Sequence, residues 1–163
     1  MSLNPKIKAI FFDIGGVLVT VDSSDPVQRL SVALGISPER ISSGMTRELL
    51  VEYEKGLLTT NQFYEQLYLN YNSDQSMDIE TFKSYWLDTL FPCTDSIEFL
   101  RRANKDLSVW LLSNTNEFHY DLLQRDFPFM KWVNGGTYSF MVGSMKPEPL
   151  IYEVAIKKSG FRP

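Results

Sequence analysis

The chain has little of several residue types that mark particular classes of protein. Its 163 residues contain one cysteine and one histidine, which excludes a disulfide framework and a zinc site built from cysteine clusters. The net charge of -4 gives no basic excess of the kind that nucleic-acid-binding domains show. No apolar run approaches the roughly 20 residues that a membrane-spanning helix needs. We therefore expect a globular protein with no nucleic-acid or membrane partner. The single cysteine suggests the reducing environment of the cytoplasm.

The order of apolar and polar segments predicts an α/β fold. Short apolar runs at 7–12 (IKAIFF), 107–114 and 136–143 are typical of strands, and amphipathic segments between them are typical of helices. Such alternation favours a parallel sheet with crossover helices, the doubly wound Rossmann-like class. The segment VLVTVD at 17–22 either extends the first strand or forms a second short one.

The stretch from residue 23 to residue 90 has helical patterns and no strand signal. Its segments begin at proline, serine or threonine caps, and the last of them, 78–91, also has a helical pattern. The length of the chain suits one domain that carries a small inserted one. We therefore predict a discontinuous α/β core, residues 1–22 and 91–163, with residues 23–90 inserted as an all-helical cap.

Polar residues follow each of the three predicted strands. Asp13 follows the first, Ser113 and Asn114 follow the second, and Lys146 follows the third, just before a helix. Each alone has an ordinary explanation as a turn, an N-cap or a solvated charge. In open α/β sheets, however, ligands bind outside the carboxyl ends of the strands. There, Asp13 could act as a carboxylate nucleophile, Ser113 could hold a phosphoryl oxygen, and Lys146 could neutralise developing charge.

Three motifs, taken in order, resemble the haloacid dehalogenase superfamily of hydrolases. They are FFDIGGVLV, VWLLSNTN and GSMKPEPLIY, and YEKGLLTTNQF is similar to the helical cap that one subgroup inserts after the first motif. Within the superfamily the chain most resembles small sugar-phosphate phosphatases with Asp-x-Gly-Asn or Asp-x-Gly-Gly in the first motif. The resemblance spans nearly the whole chain, and it implies a hydrolase with an incomplete α/β core and a cap.

The resemblance also implies a role for each motif residue. Asp13 would form an aspartyl-phosphate, and its carboxylate and the backbone carbonyl of Gly15 would bind Mg²⁺. Such a hard cation suits carboxylate, carbonyl and phosphate oxygens. Ser113 would bind the phosphoryl group and Lys146 would stabilise its charge. The substrate would be a small phosphorylated metabolite.

Three further residues are candidates for substrate binding. Gly16 allows the backbone to approach a ligand closely, and Asn114 lies next to the predicted phosphate-binding serine. His119, one turn into the following helix, is either a contact at the mouth of the site or an ordinary helix residue. The segment 54–56, between two predicted cap helices, either faces the site and selects substrate or is a simple turn.

Gly15 is the first departure from the family pattern. Most phosphatases of the family have a second aspartate here as general acid, and such acid–base help is worth about 10² to 10⁴ in rate. A haloacid dehalogenase, which needs neither this acid nor a metal, is therefore a second hypothesis. Its first motif usually has an aromatic followed by Gly-Thr, which DIGGV does not match. A catalytically lapsed domain that binds ligands or partners is a third.

The second departure from the family pattern is the absence of a fourth motif. In the family, this motif is one acid or a pair of acids that follows a further strand, and that strand lies beside the first strand in the sheet. The sequence ends at KKSGFRP without it. We therefore expect an incomplete metal site and weak or no Mg²⁺-dependent turnover for these residues. We also expect the first strand to lie at an edge of the sheet. Either the sequence is part of a longer protein that supplies the missing segment, which is the interpretation we favour, or another chain covers this edge in a homodimer or a swapped assembly.

Overall fold

The computed structural model describes residues 7–86 and 89–161. The elements in chain order are β1 (Ala9–Phe12), β2 (Val19–Val21), α1 (Ser24–Leu34), α2 (Pro38–Gly44), α3 (Arg47–Glu54), α4 (Thr60–Tyr71), α5 (Ile79–Trp86), β3 (Leu90–Pro92), α6 (Thr94–Ala103), β4 (Ser108–Ser113), α7 (Glu117–Asp126), β5 (Gly135–Tyr138), α8 (Ser139–Val142) and α9 (Pro149–Ser159), with a 3-10 turn at Pro128–Lys131. No helix within these ranges is long and apolar enough to cross a membrane.

A three-stranded parallel sheet forms the centre of the α/β part. The strand order is β1-β4-β5, with Phe12 beside Leu111 and Ser113 beside Tyr138. The crossovers through helices follow the predicted pattern, and the α/β prediction is confirmed. In the part of the chain that the structure describes, β1 pairs only with β4 and therefore lies at an edge of the sheet. The homodimer stays a prediction.

A second, two-stranded sheet corrects the predicted helix over 78–91. Leu90–Pro92 is a strand that pairs antiparallel with Val19–Val21, and the Cys93 N–H donates to the Leu18 carbonyl at 2.8 Å. Residues 87 and 88 lie outside the described ranges. The helical pattern fails here because pairing with a strand distant in sequence overrides a weak local preference. The segment VLVTVD accordingly forms a separate short strand rather than extending β1.

The predicted strand over 136–143 is also wrong in its second half. The strand ends at Tyr138, where β4 offers no further partner, and the chain turns into α8. The Ser139 hydroxyl accepts from the Thr115 N–H and donates to the Thr115 carbonyl, both at 2.9 Å. This buried exchange holds the end of β5 against the loop that follows β4.

Helices α1 to α5 pack around an apolar cluster of their own. Leu30, Ile41 and Leu67 are fully buried within it, whereas Val109 and Leu111 belong to the cluster beneath the sheet. Two caps are as the sequence predicts: the side chains of Ser37 and Thr59 accept backbone N–H bonds, and Thr59 completes a capping box with Gln62. A third predicted cap, Asp25, is wrong, because α1 begins at Ser24, whose N–H donates to the Asp22 carboxylate at 2.9 Å. The division into core and cap stays a prediction.

Candidate active site

Asp13 and Lys146 form an ion pair at the carboxyl edge of the sheet. Asp13 Oδ2 lies 2.6 Å from Lys146 Nζ, and the side chains are 39% and 22% exposed, respectively. Asp13 Oδ1 accepts the Ile14 N–H at 2.8 Å, and Lys146 Nζ donates to the Leu112 carbonyl at 3.2 Å. A carboxylate and a cation are thus held side by side, partly shielded from water but still open to a ligand.

The side chain of Asn114 holds the backbone of Lys146. The Lys146 N–H donates to Asn114 Oδ1 at 2.7 Å, and Asn114 Nδ2 donates to the Lys146 carbonyl at 3.1 Å. Both ends of the amide are therefore engaged, and positioning Lys146 is the role that this geometry favours. Substrate binding by Asn114 stays a prediction.

Ser113 is the last residue of β4, and it is 2% exposed. Its hydroxyl donates a long hydrogen bond of 3.3 Å to the carbonyl of Asn114. A hydroxyl rotates about its C–O bond, so the same group can turn its proton to a stronger acceptor such as a phosphoryl oxygen. The structure thus brings Ser113 to the sheet edge where the sequence predicts it.

The two glycines after Asp13 differ in what they contribute. Gly16 has φ +73°, and its N–H donates to the Val19 carbonyl at 2.8 Å, so in this conformation that N–H is unavailable to a ligand. Gly15 faces Val19 in an isolated bridge whose hydrogen bonds are made by Ile14 and Gly16. The N–H and carbonyl of Gly15 itself make no backbone hydrogen bond within the described ranges. A Cβ placed on Gly15 would meet no atom within 4 Å, so there is open space beside this residue.

A cavity of about 200 Å³ lies beside this loop. Gly15, Ser113, Asn114 and His119 line it, which brings these four predicted site residues together, and Glu54 at the end of α3 also lines it. Pockets for drug-sized ligands are larger, roughly 300 to 1,000 Å³. The cavity is therefore of a size for a small metabolite.

His119 is a neutral residue at the wall of this cavity. Burial lowers the pKa of its imidazole from 6.5 to about 4, so the ring carries no charge near pH 7. Asn116 caps α7 through its Oδ1, which accepts the His119 N–H at 3.0 Å, and Asn116 Nδ2 lies 3.3 Å from Nδ1. If Asn116 donates there, Nε2 holds the ring proton and can donate it in a hydrogen bond.

The segment 54–56 is docked on the α/β part. Lys55 Nζ pairs with Glu148 Oε1 at 2.5 Å, and the hydrogen bond from Lys55 lowers the pKa of Glu148. The Ser144 hydroxyl donates to the other oxygen of Glu148 at 2.9 Å. Gly56 has φ +68°, and a Cβ on it would overlap the carbonyl oxygen of Phe140. The segment is more than a turn between helices, because it contacts both α8 and the start of α9.

Two acids in this region fall outside the predicted site residues. Glu148 lies within the third motif, two residues after Lys146, but no local spacing signal relates position 148 to position 55. Glu54 belongs to a segment for which the sequence leaves both a simple turn and a site-facing loop open and favours the turn. Only the tertiary contacts distinguish these two possibilities.

Oxygen atoms of Asp13 and Gly15 are the candidate metal ligands. Within residues 7–86 and 89–161, no group of three or more His, Cys, Asp and Glu side chains could hold a metal ion. Mg²⁺, however, commonly binds one or two carboxylates and keeps waters and substrate oxygens as its other ligands. A carboxylate next to an unpaired carbonyl fits such a partial ligand set.

The parallel sheet and the carboxylate–lysine pair at its carboxyl edge define an α/β protein with a candidate site centred on a carboxylate. A comparison with protein-family models identifies the family: the haloacid dehalogenase-like hydrolase model matches residues 7–163. The chain belongs to this family, and the resemblance drawn from its motifs is confirmed.

Individual relatives agree with this assignment. The chain is 28% identical, over 94% of its length and 77% of the relative, to D-ribitol-5-phosphate phosphatase from Bacteroides thetaiotaomicron. A HAD-family enzyme from the same organism, in complex with magnesium and inorganic phosphate, superposes with a TM-score of 0.80 at 22% identity, covering 95% of this chain and 80% of that one. An L-2-haloacid dehalogenase from Xanthobacter autotrophicus gives 0.65 at 19% identity, covering 96% and 66%. Both of these solved structures have the same fold as this chain.

Proposed function

We propose that the chain is a phosphatase of a small phosphorylated metabolite and works through an aspartyl-phosphate on Asp13. The observation that carries this proposal is the Asp13–Lys146 pair at 2.6 Å, next to the loop whose Gly15 lines the cavity with Ser113. The relative that acts on D-ribitol 5-phosphate supports a phosphorylated polyol or sugar as substrate.

Each residue has a part in the transfer. A carboxylate oxygen of Asp13 attacks phosphorus, and the bond from phosphorus to the substrate oxygen breaks. Lys146 stabilises the negative charge that gathers on the transferring group, and its position is maintained by Asn114. The hydroxyl of Ser113 donates to a phosphoryl oxygen. Water then cleaves the acyl phosphate and regenerates the Asp13 carboxylate.

Magnesium is the cofactor that we propose for this site. Asp13 and the carbonyl of Gly15 would hold it, and when bound it would screen phosphate charge and help to orient the phosphoryl group. A HAD-family neighbour in complex with magnesium and phosphate supports this choice.

Residues 23–90 are proposed to act as a cap over the site. Their helices have a separate apolar cluster, and Glu54 from this segment lines the same cavity as Gly15. The small volume of the cavity and the neutral ring of His119 suit a hydroxyl-bearing substrate. We infer that contacts from the cap select among such substrates.

Phosphate release by the purified chain tests the proposal. We expect weak hydrolysis of sugar and polyol phosphates that requires Mg²⁺ and falls to background in Asp13→Asn, because the amide cannot act as the nucleophile. The matched control is Asp106→Asn, which changes an exposed aspartate in the turn before β4, at the opposite end of that strand from Ser113, and we expect it to leave activity unchanged. Acid-quenched protein should carry phosphate on Asp13, which mass spectrometry of the peptide detects.

Two results would point elsewhere. If the chain releases halide from a 2-haloacid in the presence of a chelator and releases no phosphate, the dehalogenase hypothesis is favoured. That hypothesis remains because Gly15 stands where most phosphatases of the family have their general acid. A well-folded chain that binds phosphate but hydrolyses neither class of substrate would favour a lapsed ligand-binding domain.

A further inference from the structure

We propose that Glu54 is the general acid of this enzyme and protonates the oxygen of the leaving alcohol. The inference rests on the proposed phosphatase function and adds the one chemical group that the first motif lacks. Gly15 has no side chain, so a proton for the leaving oxygen must come from another part of the molecule. Alcohols of sugars and polyols are poor leaving groups as alkoxides, and general acid help is worth about 10² to 10⁴ in rate.

The cavity places Glu54 opposite the loop that follows Asp13 and close to Ser113, although Asp13 and Lys146 do not themselves line it. Glu54 ends α3, and its side chain lines the same 200 Å³ space as Gly15 and Ser113. No atom of Glu54 comes within 4 Å of the point where a Cβ on Gly15 would stand. A space therefore remains between the Asp13 loop and the Glu54 carboxyl, and a leaving alcohol could occupy it.

The neighbours of Glu54 on both sides are tied to the α/β part. The Tyr53 hydroxyl, in a side chain that is 4% exposed, accepts the Phe118 N–H at 3.4 Å. Lys55 pairs with Glu148 at 2.5 Å. These contacts fix the backbone at Glu54 relative to the sheet, and a general acid needs such fixed placement to remain within hydrogen-bond reach of its target.

The surroundings of Glu54 favour the protonated carboxyl. Burial raises the pKa of Glu54, and no ion-pair partner for it occurs within residues 7–86 and 89–161. The nearby cations are already paired, Lys55 with Glu148 and Lys146 with Asp13. His119, the other titratable residue that lines the cavity, has a lowered pKa of about 4, so near pH 7 it is neutral and cannot act as an imidazolium acid. These opposite pKa shifts agree with the role that the shared cavity gives Glu54.

Glu54 by itself can supply and recover the proton that the reaction needs. As Asp13 forms its bond to phosphorus, the bond from phosphorus to the alcohol oxygen breaks, and its electron pair moves to that oxygen. The oxygen takes the proton of Glu54 and leaves as the neutral alcohol, which leaves Glu54 as a carboxylate. In the second step this carboxylate removes a proton from the water that attacks phosphorus, and the carboxylic acid is restored.

A series of phosphate monoesters with different leaving groups tests this role in the full chain. We expect Glu54→Gln to lower kcat/KM about 10² to 10⁴-fold for a polyol phosphate. For p-nitrophenyl phosphate, whose phenolate leaves readily without a proton, we expect a change of only a few-fold. Glu52→Gln, an exposed acid on the same helix, is the matched control and should hydrolyse both esters at the parent rate.

A second variant supplies an acid from the other side of the cavity. Because a Cβ at Gly15 meets open space and its φ is not positive, Gly15→Asp should fold without a clash and place a carboxyl beside Asp13. Introduced into Glu54→Gln, it should restore at least part of the lost rate on the polyol phosphate. Rescue from a different chain position would show that the missing group is a proton donor rather than a structural contact.

The outcomes separate this inference from the function on which it rests. If Glu54→Gln slows both esters equally, or slows neither, while Asp13→Asn abolishes hydrolysis, Glu54 is not the acid although the phosphatase stands. If the parent chain hydrolyses neither ester, the proposed function fails and this inference fails with it. A loss confined to the polyol phosphate, with rescue by Gly15→Asp, supports both.

Discussion

Lys146, the lysine of the proposed site, is held in position without a bound ligand. Its backbone is bonded on both sides to the amide of Asn114, and its ammonium group also donates to the Leu112 carbonyl. The lysine therefore reaches Asp13 from an anchored backbone, and it does not depend on a ligand for its placement. Preorganised charge of this kind needs no rearrangement during the reaction. The motif residue Asn114 is thereby explained as a support for Lys146.

The pKa of His119 predicts that the stability of the protein depends on pH. The folded-state pKa of about 4 lies below the ordinary value of 6.5, so the unfolded chain binds more protons between these values. The free energy of unfolding should then be constant above about pH 6.5 and fall as the pH drops towards 4, by on the order of 1 to 3 kcal/mol from this residue.

Urea unfolding at several pH values measures this effect. In His119→Gln, whose side chain does not titrate, the decline between pH 6.5 and 4 should become shallower than in the parent chain. Parallel pH profiles for parent and variant would mean that His119 is accessible to protons in the folded state, contrary to its partly buried position.

The segment 54–56 shows how a short connection can acquire a precise tertiary role. It joins α3 to α4, yet Lys55 reaches Glu148 at the start of α9 and Gly56 lies against the backbone of α8. Exposed ion pairs contribute little to stability, about 0 to 1 kcal/mol, and this pair is only partly buried. The close backbone packing at Gly56 is therefore the more demanding of the two contacts.

Two glycine variants separate backbone strain from packing at this contact. Gly56 and Gly35 both have positive φ, but a Cβ on Gly56 would overlap Phe140, whereas a Cβ on Gly35 meets nothing within 4 Å. Both Gly56→Ala and Gly35→Ala should incur the cost of a left-handed alanine, roughly 1 to 2 kcal/mol. Gly56→Ala should lose further stability and also activity, because the loop must move away from α8.

Unfolding free energies and kcat/KM for the two variants provide the comparison. Equal losses of stability, with activity retained in both, would show that segment 54–56 does not need to touch α8 for function.

The molecule as a whole is organised around two apolar clusters. One lies with the sheet and the helices that pack on it, and the other lies among α1 to α5. The chain passes between these parts at β2 and β3, which pair with each other. Besides this two-stranded connection, Lys55 contacts Glu148 and the Thr60 hydroxyl donates to Glu117 at 2.8 Å. Such limited contacts allow the two parts to differ in local stability.

Hydrogen exchange can test whether the helical part behaves as a separate unit. Leu67 is fully buried among the helices, and its replacement by alanine should cost about 2 to 5 kcal/mol locally. In Leu67→Ala, amides of α1 to α5 should lose protection, while amides of β4 should remain as protected as in the parent. Equal loss in both regions would argue for one cooperative unit and against a distinct cap.

Local patterns predicted a large part of this protein. The strands β1 and β4, the caps at Ser37 and Thr59, and the placement of Asp13 and Ser113 at strand ends all follow from short-range signals. Apolar runs, turn glycines and capping hydroxyls act within a few residues, so their effects can be recognised in the sequence. The family resemblance, which a matching family model confirms, rests on the same short segments.

The remaining features depend on contacts between segments that are far apart in sequence. The strand at Leu90–Pro92 exists because Val19–Val21 is beside it, and α8 begins where β5 has no partner left. Lys55 meets Glu148, and Glu54 shares a cavity with Gly15, only after the chain has folded. These contacts join positions far apart in sequence, and their energies depend on packing that no local window contains. The order of strands, helices and motifs is thus a property of the sequence, whereas the partner of each charged group in the site is a property of the folded chain.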